Sequence, residues 1–190
     1  MIIKRVSARE EILGIKKLQN ENLKSRLDID EIEKEGFVTA EYTIEFLGLM
    51  HSIEPSIIAK EGDEVVGYAL VATKNIIGQH ALLDDLFHQI DKHSFNNVIL
   101  KDSDYVVVGQ LCVGKSHRGK GLVQKMYAFY KDELSGKYAF CLTDVDEKNP
   151  RSVKAHLKSG FTILDTLTYD GSTWYIVIWD WNNNEITLTH

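Results

Sequence analysis

Six residues near the middle of the chain, Ser116-His117-Arg118-Gly119-Lys120-Gly121, separate an apolar run from Tyr105 to Val113 and an amphipathic run from Leu122 to Leu134. Apolar side chains at 122, 126 and 129, and at 123, 127, 130 and 134, recur at helical spacing. The run before the loop has the length and composition of a buried strand. Strand, glycine-rich loop and helix in that order predict an α/β fold in which helices pack on a sheet. The order also gathers backbone N–H groups and basic side chains at a helix start, the chemistry that holds a phosphate-bearing ligand.

The same stretch supports a second reading. Gly109-Gln110-Leu111-Cys112-Val113-Gly114-Lys115-Ser116 fits the nucleotide P-loop pattern G-x-x-x-x-G-K-[ST]. Its variable positions, Gln110 to Val113, look like continued strand. Gly119 and Gly121 would fall in the first turns of its helix, weakening it by about 1 kcal/mol each. One point favours it: the run from Tyr138 to Asp144 ends in an acid, as the Mg²⁺-holding strand of an NTPase does. In the other reading Val113 ends the strand, Lys115 to Gly121 is the loop, and Leu122 opens the helix. Gly119 and Gly121 then allow close backbone approach, while Arg118 and Lys120 add positive charge to the helix dipole. A basic surface turn would carry the same letters.

The remaining pattern is mixed. Ile2 to Val6 reads as a strand, and Ser7 with Glu10 as a capping box for a helix over about Ala8 to Leu23. Ser25 to Ile53 is charged, then amphipathic, with Tyr42, Phe46, Leu47 and Met50 on one possible face. Ser56–Ala59 and Val65–Val71 read as a hairpin and His80–His93 as a helix. Tyr138–Leu142 reads as a third buried strand. Asn149-Pro150 opens a short helix that Ser159-Gly160 closes. Phe161–Thr168 and Thr173–Trp181 form a last hairpin across Tyr169-Asp170-Gly171-Ser172.

At 190 residues, 44% hydrophobic and 26% charged, the chain suits one cored domain, expected to span 1–190. A formal charge of -6 argues against broad nucleic-acid or anionic-membrane binding. Met1 to Val6 lacks a signal-peptide layout, and no apolar run approaches the ~20 residues of a membrane helix. Cys112 and Cys141 lie in apolar runs and read as buried free thiols, so a cytoplasmic location is expected.

The loop resembles the acetyl-CoA loop of the GCN5-related N-acetyltransferase (GNAT) superfamily, [QR]-x-x-G-x-[GA], through Arg118-Gly119-Lys120-Gly121-Leu122; position 116 departs, with Ser where Gln or Arg is favoured. A second stretch, Asn149 to Ser152 leading through a helix to Gly160-Phe161, resembles the family's following motif. The resemblance implies a central mixed sheet flanked by helices, acetyl-CoA as cosubstrate, and direct transfer to a primary amine of a small molecule or peptide. It implies that Leu111, Cys112 and Val113 pair with the pantetheine arm, with the Val113 amide toward the thioester oxygen. It further implies that the amides from His117 through Arg118, Gly119 and Lys120 to Gly121, with Leu122, cradle the pyrophosphate, with Asn149 and Ser152 on the other wall. A homodimer through the terminal hairpin is also an expectation.

Where the family often has a Tyr aimed at the CoA sulfur, this chain has His156, expected to donate to the leaving thiolate or to sit on a solvated helix face. The base is open: the central strand offers only Gln110, which cannot take a proton; Asp144 and Asp146, after the next strand, read as loop or capping residues or as groups facing the acceptor, and a relay through ordered water is the other route. A CoA-binding protein without catalysis is therefore the rival from another class, with the P-loop phosphotransferase third. His80, His88 and His93 with Asp84, Asp85 and Asp91 read as a solvated helix face, with no metal expected. Phe37, Tyr42, Phe46 and Trp174 are expected in the core or along an acceptor cleft built from segments 24–53, 74–103 and 165–175.

Overall fold

The computed structural model describes residues 1–28, 30, 32, 36–169 and 171–182. Strand β1 (Ile2–Arg5) leads into helix α1 (Arg9–Asn22), then α2 (Ile44–Ile53) and the hairpin β2 (Ile57–Glu61) and β3 (Glu64–Ala72). Helix α3 (Ala81–Ile90) and a two-stranded ribbon, β4 (Ser94–Phe95) and β5 (Val98–Ile99), precede the central strand β6 (Tyr105–Val113). Then come α4 (Leu122–Leu134), β7 (Phe140–Asp146), α5 (Pro150–Lys158), β8 (Thr162–Tyr169) and β9 (Ser172–Asp180). Seven strands form one sheet in the order β1-β2-β3-β6-β7-β9-β8. β6 and β7 run parallel and the other pairs antiparallel.

The central strands of the sheet are buried on both faces, and alternation along them divides the core. Tyr68 and Leu70 of β3, with Tyr105 and Val107 of β6, pack with Ile15 of α1, Met50 of α2 and Phe87 of α3. Ala69, Val71, Val106 and Val108 point the other way, onto Tyr127 and Tyr130 of α4. Among the described residues, no helix is long and apolar enough to cross a membrane.

Three local readings change. The capping box fails because α1 starts one turn position later than Ser7 requires. Ala8 is its N-cap, and Glu11, not Glu10, accepts from the Ser7 N–H at 2.8 Å. The ribbon at 94–99, where sequence reading placed no element, turns through Asn96 and Asn97 at φ +48° and +65°, where Asn is tolerated. Most consequential, β7 runs four residues past Leu142. Pairing of Asp144, Val145 and Asp146 with Ile176, Tyr175 and Trp174 of β9 carries the strand on. Asp144 and Asp146 are thus strand residues rather than loop or cap. In the last hairpin Gly171 has φ +69°, while Asp170, read as part of that turn, lies outside the described residues.

Candidate active site

Among the described residues the large sheet has one parallel pair, β6 and β7, and it is also the pair that opens. β6 and β7 match from Tyr105–Phe140 to Val107–Leu142 and then part. At the fork the Thr143 hydroxyl donates to the Val108 carbonyl at 2.8 Å, satisfying a group that loses its strand partner. Beyond it β6 stays attached to β3 alone, with Leu111 opposite Ala69 and Val113 opposite Gly67. The Gly114 N–H bonds the Val66 carbonyl. Amides alternate sides along an antiparallel strand, so Cys112 also points to β3, while Leu111 and Val113 present their N–H and C=O to the gap. Gln110 is committed elsewhere. Its Oε1 accepts from Gln19 and Tyr68, and its Nε2 donates to the Ala40 carbonyl.

Two cavities meet at this gap. The first, about 450 Å³, runs along Leu111, Cys112 and Val113 to His117, Arg118 and Gly119. It continues over Gly121 and Leu122, with Asn149 and Ser152 on its far wall. Gly119 and Gly121 both have φ +74°, and a Cβ at either would meet no protein atom within 4 Å. The glycines therefore serve the loop's curvature and leave open space above it. Gly121 caps α4 with no side-chain acceptor, so the amides opening that helix are available to an anion.

Three of the expected side chains differ in detail. Lys120 is exposed and does not line the cavity. Arg118 is turned inward as a clamp: its Nε donates to the Val113 carbonyl at 2.9 Å and its Nη2 to Asn22 Oδ1. Asn149 is engaged at both ends, its Oδ1 accepting from the Ser152 N–H and its Nδ2 donating to the Phe37 carbonyl. Sequence reading missed the basic side chains of α5 on this cavity, Arg151, Lys154 and Lys158. Their spacing of three and four residues puts them on one helix face, a signal that was present.

The second cavity, about 340 Å³, lies against Gly109, Gln110 and Leu111 on one side and Thr143 to Asp146 on the other. It shares Phe37, Val38, Leu111, Asn149 and Ser152 with the first. Tyr42 and Trp174 line it; Phe46 instead packs on Tyr42 and His80. Asp146 is buried and paired with Lys24 at 3.4 Å. Asp144 has no cation beside it among the described residues. Burial raises its carboxyl from 3.8 to about 6, aided by the charge of Asp85 across the cavity and opposed by its own backbone N–H.

His156 lies on this second cavity and is buried, its ring against Tyr127 and Phe161. Burial lowers its pKa to about 4, so the ring is neutral near pH 7. Nδ1 sits 2.8 Å from the Ser152 carbonyl, which can only accept. Nδ1 thus carries the proton, leaving Nε2 a bare acceptor. That tautomer cannot itself donate to a thiolate; it can take a proton and pass it on. The Cys112 thiol is pushed up to about 12 by burial, which makes it an inert wall rather than a nucleophile.

The P-loop reading fails on backbone geometry. Gly109 to Val113 is extended strand, and no residue between Tyr105 and Arg118 has positive φ, so no amides there curl around a phosphate. The glycine loop one step later does curl. Over residues 23–161 the chain matches the model of the acetyltransferase (GNAT) family. The chain belongs to the GNAT family.

GNAT proteins use acetyl-CoA as cosubstrate, and solved structures of similar fold include such complexes. The Salmonella typhimurium protein yncA, solved with acetyl-CoA, superposes with a TM-score of 0.63 at 15% identity, covering 96% of this chain and 95% of its own. The NatC complex bound to Gag peptide and CoA gives a TM-score of 0.63 at 14% identity, over 94% of this chain and 97% of that one. The ribosomal-protein-alanine N-acetyltransferase of Brucella melitensis gives 0.61 at 15% identity, over 95% and 99%. Identities this low establish a shared fold. A search among curated proteins finds no match. In this GNAT chain no three His, Cys, Asp or Glu side chains gather to hold a metal among the described residues. The acidic and imidazole groups of the α3 region disperse: Asp84 accepts from the Gly78 N–H, Asp91 from the Tyr105 hydroxyl, and His93 pairs with Asp165.

Proposed function

We propose that the protein is an acetyl-CoA-dependent N-acetyltransferase that moves an acetyl group to a primary amine by direct attack in a ternary complex. One observation carries this reading: a groove roofed by the glycine loop and an acid-walled cavity share a wall at the fork, where strand amides are free. The first suits the donor and the second the amine.

The residues divide the work. The amides at the start of α4, with Arg151, Lys154 and Lys158, hold the phosphates. The gap-facing polar groups of Leu111 and the Val113 N–H pair with the arm of the donor, and a gap-facing N–H supports the oxygen as it becomes negative. Asp144, poised near neutrality, takes a proton from the incoming ammonium so that the nitrogen can attack. The C–N bond forms and the C–S bond breaks. Nε2 of His156 relays the second nitrogen proton toward the departing sulfur, and Asp144 returns its own to water. Sequence reading left the base open, and Asp144 fills that place, which weighs against a merely CoA-binding protein.

Thermal unfolding with acetyl-CoA, CoA and Mg-ATP in separate titrations tests the donor site. At ~100 times its dissociation constant a native-state ligand adds about 2.7 kcal/mol, roughly 5–10 °C for a chain of this size. Both CoA species are expected to shift the transition and Mg-ATP to leave it in place. A shift with Mg-ATP alone rejects the proposal. His156→Phe is expected to lower kcat by about 10–100-fold with acetyl-CoA affinity almost unchanged; unaltered turnover removes the imidazole from the reaction.

A further inference from the structure

Among the described residues, the charges lining the second cavity do not balance. The one lysine among them, Lys24, is already paired with Asp146 at 3.4 Å. That leaves Asp144 on β7 and Asp85 on α3, two different walls of the same space. Asp85 is approached by the side-chain amide of Gln89 at 3.5 Å and, among the described residues, by no cation. The two carboxylates lie close enough that the charge of one helps hold the proton on the other. A half-buried carboxylate without a counter-charge is costly to the folded chain, and two facing one cavity more so. Such an arrangement is relieved by a ligand that brings both positive charges with it.

The rest of the wall sets the ligand's size and middle. A volume of about 340 Å³ lies at the small end of the ~300–1,000 Å³ range of small-molecule sites. Leu82, Leu86 and Leu167, with the ring of Tyr42, add apolar surface to the same cavity. We propose that the acceptor is a small dicationic amine, an α,ω-diamine by class, with one nitrogen at Asp144, the second ammonium held by Asp85, and the alkyl spacer along the leucines. This rests on the acetyltransferase reading above and narrows it. One nitrogen loses its proton to Asp144 and gains the acetyl carbon as the C–S bond breaks, while the other stays an ammonium, so the product is the monoacetyl diamine. A simple monoamine leaves one carboxylate unmatched, and a free α-amino acid brings a third negative charge.

Calorimetric titration separates the two readings. The protein, with and without saturating CoA, is titrated with 1,4-diaminobutane, butylamine and a tripeptide with a free N-terminus and no basic side chain. 1,4-Diaminobutane is expected to bind at least about tenfold more tightly than butylamine, and Asp85→Asn to bring it down to the butylamine level while the variant melts cooperatively at or above the wild-type temperature. Equal affinity for the two, no binding by either, tighter binding of the tripeptide, or a diamine preference that survives Asp85→Asn overturns the proposal. Thiol release from acetyl-CoA, followed in parallel, judges the acetyltransferase reading alone. A diamine that binds selectively through Asp85 but releases no CoA keeps the ligand class and rejects the transfer. Equal release with both amines keeps the transfer and rejects the ligand class.

Discussion

Asp144→Asn is expected to abolish acetyl transfer and, at neutral pH, to make the protein harder to melt. A general base contributes about 10²–10⁴-fold, so turnover should fall by that order with acetyl-CoA affinity retained. The gain in stability follows from the same displaced pKa. Between 3.8 and about 6 the folded chain keeps a proton that the unfolded chain has released. Wild-type stability therefore falls as pH rises across that window and stays lowered above it. The full displacement corresponds to about 3 kcal/mol at most. Water in the cavity screens part of it, leaving an expected gain of about 1–2 kcal/mol, or roughly 2–8 °C. Melting at pH 7.5 and at pH 4 checks the sign: the difference should be present at the first and gone at the second. In wild type, kcat/KM should carry an acid limb near pH 6 that the variant lacks. A variant that melts lower at pH 7.5, or turns over normally, removes Asp144 from this role.

The largest expected loss of stability comes from a residue far from the chemistry. Gly160 closes α5 at φ +108°, a conformation that L side chains rarely adopt, and a Cβ there would sit 2.6 Å from Trp179 Nε1. Trp179 is wedged between Phe161 and Trp181, so it has little room to yield. Gly160→Ala therefore combines backbone strain with a steric clash, an expected loss of about 3–5 kcal/mol. On this chain that lowers the melting temperature by roughly 6–20 °C. Because α5 carries His156 and the wall shared by both cavities, acetyl-CoA binding should weaken with it. Urea unfolding measures the loss directly; a change below about 1 kcal/mol would mean that the Trp179 ring moves aside freely.

Gly160 was legible in the sequence, and so was most of what is set by a few neighbouring residues. The bounds of α4 and of α5 follow from glycines that need positive φ, a proline at a first helical turn and an asparagine cap, all local chemistry. The groove under the glycine loop was legible for the same reason. What could not be read were properties created by distant partners. Asp144 reads as a loop residue or as a group facing the acceptor, because the apolar run ends at Leu142; pairing with β9, some thirty residues on, is what makes it a strand residue lining a cavity. Asp85 reads as one acid on a polar helix until the fold sets it across from Asp144. His156 was visible as a candidate, but its tautomer depends on the Ser152 carbonyl one turn back and its low pKa on rings from α4 and the β8 approach. Charge balance in a cavity belongs to three dimensions, and no spacing rule along the chain encodes it.

The Thr143 hydroxyl on the Val108 carbonyl works as the stop of a zipper. Below it, backbone ladder bonds hold β6 to β7; above it, none do. Where a pair of strands separates is otherwise soft, since one more or one fewer ladder bond differs by only about 1 kcal/mol. A side chain that fills the last acceptor position makes the opening begin at one residue and no other. Anything laid between the strands is then measured from that residue, as a rule is measured from its end. In the proposed complex with acetyl-CoA, the threonine would set the depth an acyl group reaches, and so the length of acyl group that still leaves space for an amine.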